Sequence, residues 1–169
     1  MKKTFLIFLF GLVLTSCEIK EDVNTTDSKK MENRSVSTKL SSTLISGTSY
    51  LSVYSQVNSV TSEYTQSLIA TISMRNISRQ DTLYIVKADY FNTSGKLIRS
   101  YFNTPIYIKP LETVEIIIDQ KDNEGGTGAN FIFDWKVKPT SNDPLFEGVM
   151  ISTSGQQGLS FTTRGVKVN

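Results

Sequence analysis

Between residues 130 and 137 the chain reads NFIFDWKV, and apolar and polar side chains alternate almost without error. Phe131, Phe133, Trp135 and Val137 fall on one side, and Asn130, Ile132, Asp134 and Lys136 on the other. Side chains of an extended strand point alternately to opposite faces, so this period of two fits a half-buried strand and not a helix. The same texture recurs from Tyr50 onward. Leu68, Ala70, Ile72 and Met74 share one face of SLIATISMRN. Tyr84, Val86, Ala88 and Tyr90 are expected on one face of TLYIVKADYFN, with Lys87 and Asp89 opposite. Val114, Ile116 and Ile118 alternate with Thr113, Glu115 and Ile117. YLSVYSQV, KLIRSYF, LFEGVMIST and LSFTTRGVKV complete eight or nine candidate strands, and Asn92-Thr93-Ser94-Gly95 marks a hairpin turn. No helix-period segment of useful length follows the first twenty residues. Many short strands separated by Gly, Asn, Pro and Asp predict an all-β fold, an antiparallel β-sandwich of immunoglobulin-like type with about eight strands.

The first residues obey different rules. Met1-Lys2-Lys3 is basic, and Thr4 to Val13 is almost purely apolar but too short to span a bilayer. Leu14-Thr15-Ser16-Cys17 follows, and Cys17 is the only cysteine. Basic start, short apolar run and small residues form the layout of an export signal. Leu-Thr-Ser-Cys resembles the lipobox of bacterial lipoproteins. That resemblance implies cleavage between Ser16 and Cys17, a diacylglyceryl group on the Cys17 thiol and acylation of the new amino terminus. Two or three acyl chains hold a protein stably on a membrane, whereas one does not.

The expected organisation is a signal peptide over 1–16, a lipidated flexible tether over 17–48 and one β-sandwich domain over 49–169. Residues 18–48 are rich in Ser, Thr, Asn and charge and lack a sustained apolar period, apart from a possible short strand near Lys39 to Ile45. A flexible chain of that length averages about 30 Å end to end and reaches at most about 100 Å. Removing Lys2 and Lys3 lowers the 18 basic residues to 16, against 16 acidic ones. A near-neutral chain without a Lys/Arg block excludes a nucleic-acid partner of the usual electrostatic kind.

The stretches LYIVKADYFNTSGKLIRSY, PLETVEIII, GGTGANFIFDW and TSGQQGLSFTTRG resemble those of a family of small exported bacterial proteins. That family is known as a domain of unknown function, and the resemblance runs from about Tyr50 to Val168. It implies one exported bacterial domain and carries over no activity.

Chemistry is narrowed by what is missing. The chain has no histidine. With Cys17 lipidated there is also no free thiol, so Cys–His and Ser–His–Asp nucleophiles and His/Cys zinc sites are excluded. No cofactor is expected. The glycine-rich DNEGGTGAN lacks the Lys-Ser/Thr ending and following helix of a phosphate loop, and reads as a turn shaped by Gly125, Gly126 and Gly128. Asp119, Asp122 and Glu124 are weak candidates for a Ca²⁺ loop, off the EF-hand spacing. Gln156, Gln157 and Arg164 are candidates for a ligand rim, with Arg164 as a fork for a carboxylate or, more plainly, a partner for Asp134 or another acid. Glu112 with Glu115, or Asp119 with Glu124, would suit a glycosidase if correctly spaced. The strand tyrosines could stack on sugars, although packing at the core edge is the commoner use.

Two short motifs complete the reading. Asp81-Thr82-Leu83 resembles an O-glycosylation acceptor of one bacterial phylum, and Lys20-Glu21-Asp22 resembles that phylum's signal for surface export of lipoproteins. The expected protein is a lipid-anchored module of the cell envelope, on the outer membrane and facing the periplasm or the surface. Its expected role is binding or structural, with an envelope protein or glycan as partner. An envelope hydrolase using paired carboxylates and a Ca²⁺-dependent adhesive module are the alternatives.

Overall fold

The computed structural model describes residues 31–153 and 158–169. Among the described residues there are twelve strands: β1 (Ile45–Val53), β2 (Gln56–Ser59), β3 (Thr61–Ser67), β4 (Ile69–Arg75), β5 (Leu83–Phe91), β6 (Leu97–Ser100), β7 (Ile106–Ile108), β8 (Thr113–Ile118), β9 (Ala129–Val137), β10 (Leu145–Ser152), β11 (Leu159–Arg164) and β12 (Val166–Lys167). A single 3₁₀ turn, Gly126–Gly128, precedes β9. One sheet runs β12-β1-β9-β5-β6, with β7 also paired to β5; the second runs β11-β10-β4-β8. All pairs are antiparallel. The fold is all-β, as the alternation predicted. Among the described residues no helix is long and apolar enough to cross a membrane.

The core lies between the two sheets. β9 alternates buried and half-buried residues along its whole length, and the inward faces of β4 and β8 fall where the sequence placed them. Phe131, Phe133 and Phe146 stack across the interface, with centroids 5.3 and 4.2 Å apart. Trp135 lies over Gly47, its cross-strand partner, where a Cβ would sit 2.2 Å from the indole ring. The indole N–H donates to Ser49 Oγ at 3.0 Å, which satisfies the one polar atom of that side chain.

β5 departs from the simple alternation. A bulge between Ile85 and Lys87 leaves Val86 as an extra residue opposite β9. An extra residue reverses the facing of everything beyond it. Leu83 and Ile85 therefore point inward before the bulge, and Ala88 and Tyr90 after it. Tyr84 and Val86 do not join Ala88 and Tyr90 on the core face as expected. Asp89 is buried on the outer side, where Lys87 Nζ (2.6 Å) and Ser100 Oγ (2.6 Å) both reach its carboxylate.

The sheet also begins earlier than Ser49. β1 starts at Ile45, and Met31 is buried in the core. Ser35 bridges Ile106 at the edge of β7, Tyr107 N–H donates to the Arg34 carbonyl (3.1 Å) and Val36 N–H to the Pro105 carbonyl (2.8 Å). The far half of the stretch expected as a tether is thus a strap laid along the sheet. Strands β2 and β3 form a separate hairpin of their own. They add to the expected strand count because a Ser/Thr/Gln-rich segment shows no apolar period.

Candidate functional site

The strand directions give the molecule two ends. At one end lie the start of β4 and β9 and the finish of β1, β5, β8 and β10. The glycine loop and the β2–β3 hairpin belong to this end. The finish of β4 and β9 and the turn between β7 and β8 lie at the other.

At the glycine-loop end, polar groups are used to close the fold. Gly125 approaches the Tyr90 hydroxyl so closely that a Cβ there would lie 1.9 Å from it. Gly126 adopts φ +73°, a region glycine enters freely. Thr93 binds the loop from the β5–β6 turn, its N–H and hydroxyl donating to the Gly125 carbonyl (3.0 Å each) and its oxygen accepting from Gly128 N–H (2.9 Å). Ser55 N–H and Oγ donate to the Gly126 carbonyl (3.2 Å each). The glycines shape a turn, as the sequence indicated. Burial, and then the nearby Asp122 carboxylate, push the Tyr90 phenol up, so it stays neutral.

Two acids of this loop face one arginine. Asp122 pairs with Arg99 at 2.7 Å, Glu124 stands 3.8 Å from the same guanidinium, and Asp119 accepts from Lys121 N–H at 3.0 Å. Arg99 also lies against the Tyr90 and Tyr101 rings. A cation at Asp122 would have to displace a guanidinium. Among the described residues no three acidic, His or Cys side chains gather as a metal ion requires.

Gln156, Gln157, Ser16, Cys17 and the Lys20–Asp22 stretch lie outside the described residues. Arg164 ends β11 opposite Glu147, five residues beyond Leu159. Arg164 does not pair with Asp134, whose carboxylate accepts from Thr48 Oγ1 at 2.8 Å. Asp81 of the Asp-Thr-Leu motif is held by Lys138 at 2.7 Å, and Leu83 is buried.

The other end is open. A cleft of about 490 Å³ lies between the strap and the β7–β8 turn, lined by Asn33, Arg34, Tyr107, Lys109, Glu112 and Glu115 among others. Its floor is set by a tight turn. Glu112 N–H donates to the Lys109 carbonyl at 3.1 Å, Pro110 occupies the second position and Leu111 the third, with φ +59°. That is a type II geometry, in which the third position normally takes glycine or asparagine. The Leu111 side chain is exposed, while its N–H donates to the Ser78 carbonyl at 3.1 Å, so the left-handed backbone is held by main-chain bonds and not by packing of the leucine. Asn76 locks the neighbouring loop: its side chain donates to the Asp81 and Ile108 carbonyls and accepts from Ser78 N–H.

Within the cleft, Arg34 pairs with Glu112 at 2.8 Å, and Lys109 N–H donates to the other Glu112 oxygen at 2.8 Å. The Arg34 guanidinium holds the Glu112 carboxyl below the usual carboxylate range. Glu115 accepts a long bond of 3.4 Å from Ser73 Oγ. The two glutamates that the sequence paired do share one cleft. An acid held ionised by arginine is, however, a poor proton donor, and glycosidic cleavage needs a donor with a raised pKa. No sequence pattern marks Arg34, which comes from the polar segment before the sheet.

A family described as a protein of unknown function (DUF3124) matches residues 46–168. The chain belongs to this family. The DUF3124 span takes in both sheets, the glycine loop and the cleft residues Tyr107, Lys109, Glu112 and Glu115, while Asn33 and Arg34 precede it. No curated protein matches the chain. The crystal structure of Thermotoga maritima 1070 is similar over 71% of this chain and 92% of its own, with a TM-score of 0.45 and 8% identity.

Proposed function

We propose that this DUF3124 protein is a lipid-anchored module of the bacterial cell envelope, held on the outer membrane through Cys17, whose β-sandwich binds a partner without catalysing a reaction. The observation that carries the binding role is the cleft between strap and β7–β8 turn. It offers cations, carboxylates, an amide and a tyrosine hydroxyl together, while Glu112 is fixed as an anion by Arg34. Mixed polar groups of this kind suit recognition of a polar protein segment or a glycan better than acid catalysis. The membrane anchor rests on the Leu-Thr-Ser-Cys sequence.

Both parts are testable in one fractionation. Wild-type chain should remain with membranes after a carbonate wash, and Cys17→Ala should be released. In the same samples, crosslinked wild-type membranes should yield a partner adduct that Arg34→Glu reduces. A Cys17→Ala protein that stays with the membrane pellet contradicts the anchor, and an adduct indifferent to Arg34→Glu contradicts the cleft.

A further inference from the structure

Among the described residues, the outer face of the four-stranded sheet carries an ordered pattern of apolar and charged side chains. Residues opposite one another in an antiparallel sheet share a face, so the strand registers give this surface row by row. One row reads Ser160, Ile151, Ile69 across β11, β10 and β4. The next reads Thr162, Val149, Thr71, Ile117 across all four strands. The third reads Arg164, Glu147, Ser73, Glu115. Val149 and Ile151 are 38% and 40% exposed, and Ile69 and Ile117 are half-buried beside them. Four branched aliphatic side chains therefore adjoin on a face that a lone sandwich would make polar.

The charges beside this patch are unequal in their commitments. Glu147 is bound to Arg75 at 2.8 Å. Arg164 is exposed and makes no ion pair among the described residues, and Glu115 has only the 3.4 Å contact from Ser73. The two stand at opposite edges of the sheet, on β11 and β8 of the same row.

We propose that this face binds a second copy of the chain, the two sheets packing face to face about a two-fold axis that runs along the strands between β10 and β4. Such an axis exchanges β11 with β8 and β10 with β4 while leaving each row in place. Arg164 then meets the partner's Glu115, and Glu115 meets the partner's Arg164. Ile151 meets the partner's Ile69, and Val149 the partner's Thr71. The apolar patch is closed from both sides, and the two uncommitted charges complete one another twice. Shifting the pairing by one strand or one row loses this match. The outer face of the six-stranded sheet offers no such arrangement: its rows carry Lys87, Asp134 and Lys136 at the centre.

The size of the face sets the strength. Four strands about 4.8 Å apart and five residues of about 3.3 Å cover on the order of 300 Å² per copy. Stable interfaces bury about 1,200 Å² or more in total, so this dimer belongs to the weak class. Rim charge pairs are screened by salt, which makes the association salt-sensitive.

The test is sedimentation of the full-length chain, extracted from membranes in mild detergent, across a concentration series at about 0.05 M and about 1 M salt. Wild type should dimerise with rising concentration at low salt and much less at high salt. Arg164→Glu alone and Glu115→Arg alone should each weaken the dimer at least tenfold, and the two together in one chain should restore it. Equal melting midpoints establish that all four proteins are folded. As a second readout, carbodiimide should couple an Arg164→Lys chain covalently to Glu115 of another copy. A chain that stays monomeric throughout, single variants that dimerise like wild type, a double variant that is not restored, or no coupling between positions 164 and 115 would each overturn the proposal.

Discussion

The two ends of the sandwich carry similar inventories and use them in opposite ways. Both hold acids, an arginine and a tight turn. At the glycine-loop end the arginine sits against two aromatic rings, its acids fold back onto it, and every loop glycine is fitted to a neighbour. The loop closes the core. At the strap end the Arg34–Glu112 pair joins two separate segments across a gap and leaves the gap open. A glycine-rich acidic loop looks more functional in sequence than a polar leader does. The physical arrangement reverses that impression, because the glycine loop is folded shut against its neighbours, whereas the strap-end pair borders an open cleft.

The sharpest way to break this contrast is at Gly125. If the loop is structural, Gly125→Val should destabilise the protein by about 2–4 kcal/mol in urea unfolding, since a Cβ cannot coexist with the Tyr90 hydroxyl. Adding Tyr90→Phe should recover part of the loss. A Gly125→Val protein of wild-type stability would show that the loop is free to move.

A smaller effect is expected when Asp122→Asn removes the carboxylate that holds Arg99. Both side chains are mostly buried, so the cost should be about 1 kcal/mol, read as a fall in melting temperature of a few degrees. The matching change at the strap end, Glu112→Gln, should cost less, about 0.5 kcal/mol, because that pair is more exposed to water and screening. Partner capture should show the reverse ranking, with Glu112→Gln the more harmful.

Glu112 also predicts a pH dependence. Its folded-state pKa lies below its unfolded value, so the folded protein binds fewer protons there. The stabilisation is complete above the ordinary glutamate pKa of about 4.3 and is lost as pH falls through the lower folded value. Glu112→Gln should flatten that part of the acid limb of the stability curve. An unchanged acid limb would remove the Arg34–Glu112 pair from the account.

The mildest expected change is a gain. Leu111→Gly replaces a leucine held at positive φ in a type II turn, and should raise stability by about 0.5 kcal/mol without altering the fold. A loss would indicate that the leucine side chain does more than its exposed position suggests.

The sequence was readable where burial dictates period two. The core faces of β4, β8 and β9 follow directly from it. The β5 bulge was not readable, because the strings on either side of Val86 both alternate and nothing marks the residue at which facing reverses. The hairpin β2–β3 and the strap were missed for the same reason as each other: each gives the core only an isolated apolar side chain, Val57 or Met31, and shows no apolar period. The cleft was half-readable. Glu112 and Glu115 are close in the chain and remain close in space, whereas Arg34 reaches them from about eighty residues away.

The central claim is that partners are met at the strap end and not at the glycine loop. It is tested most directly by placing a photo-crosslinking residue at Tyr107, in the cleft, and separately at Asn123, in the glycine loop, in the full-length chain on native membranes. Adducts with an envelope component from position 107 and none from position 123 are the predicted result. Adducts from position 123 alone, or none from either position, would contradict the account.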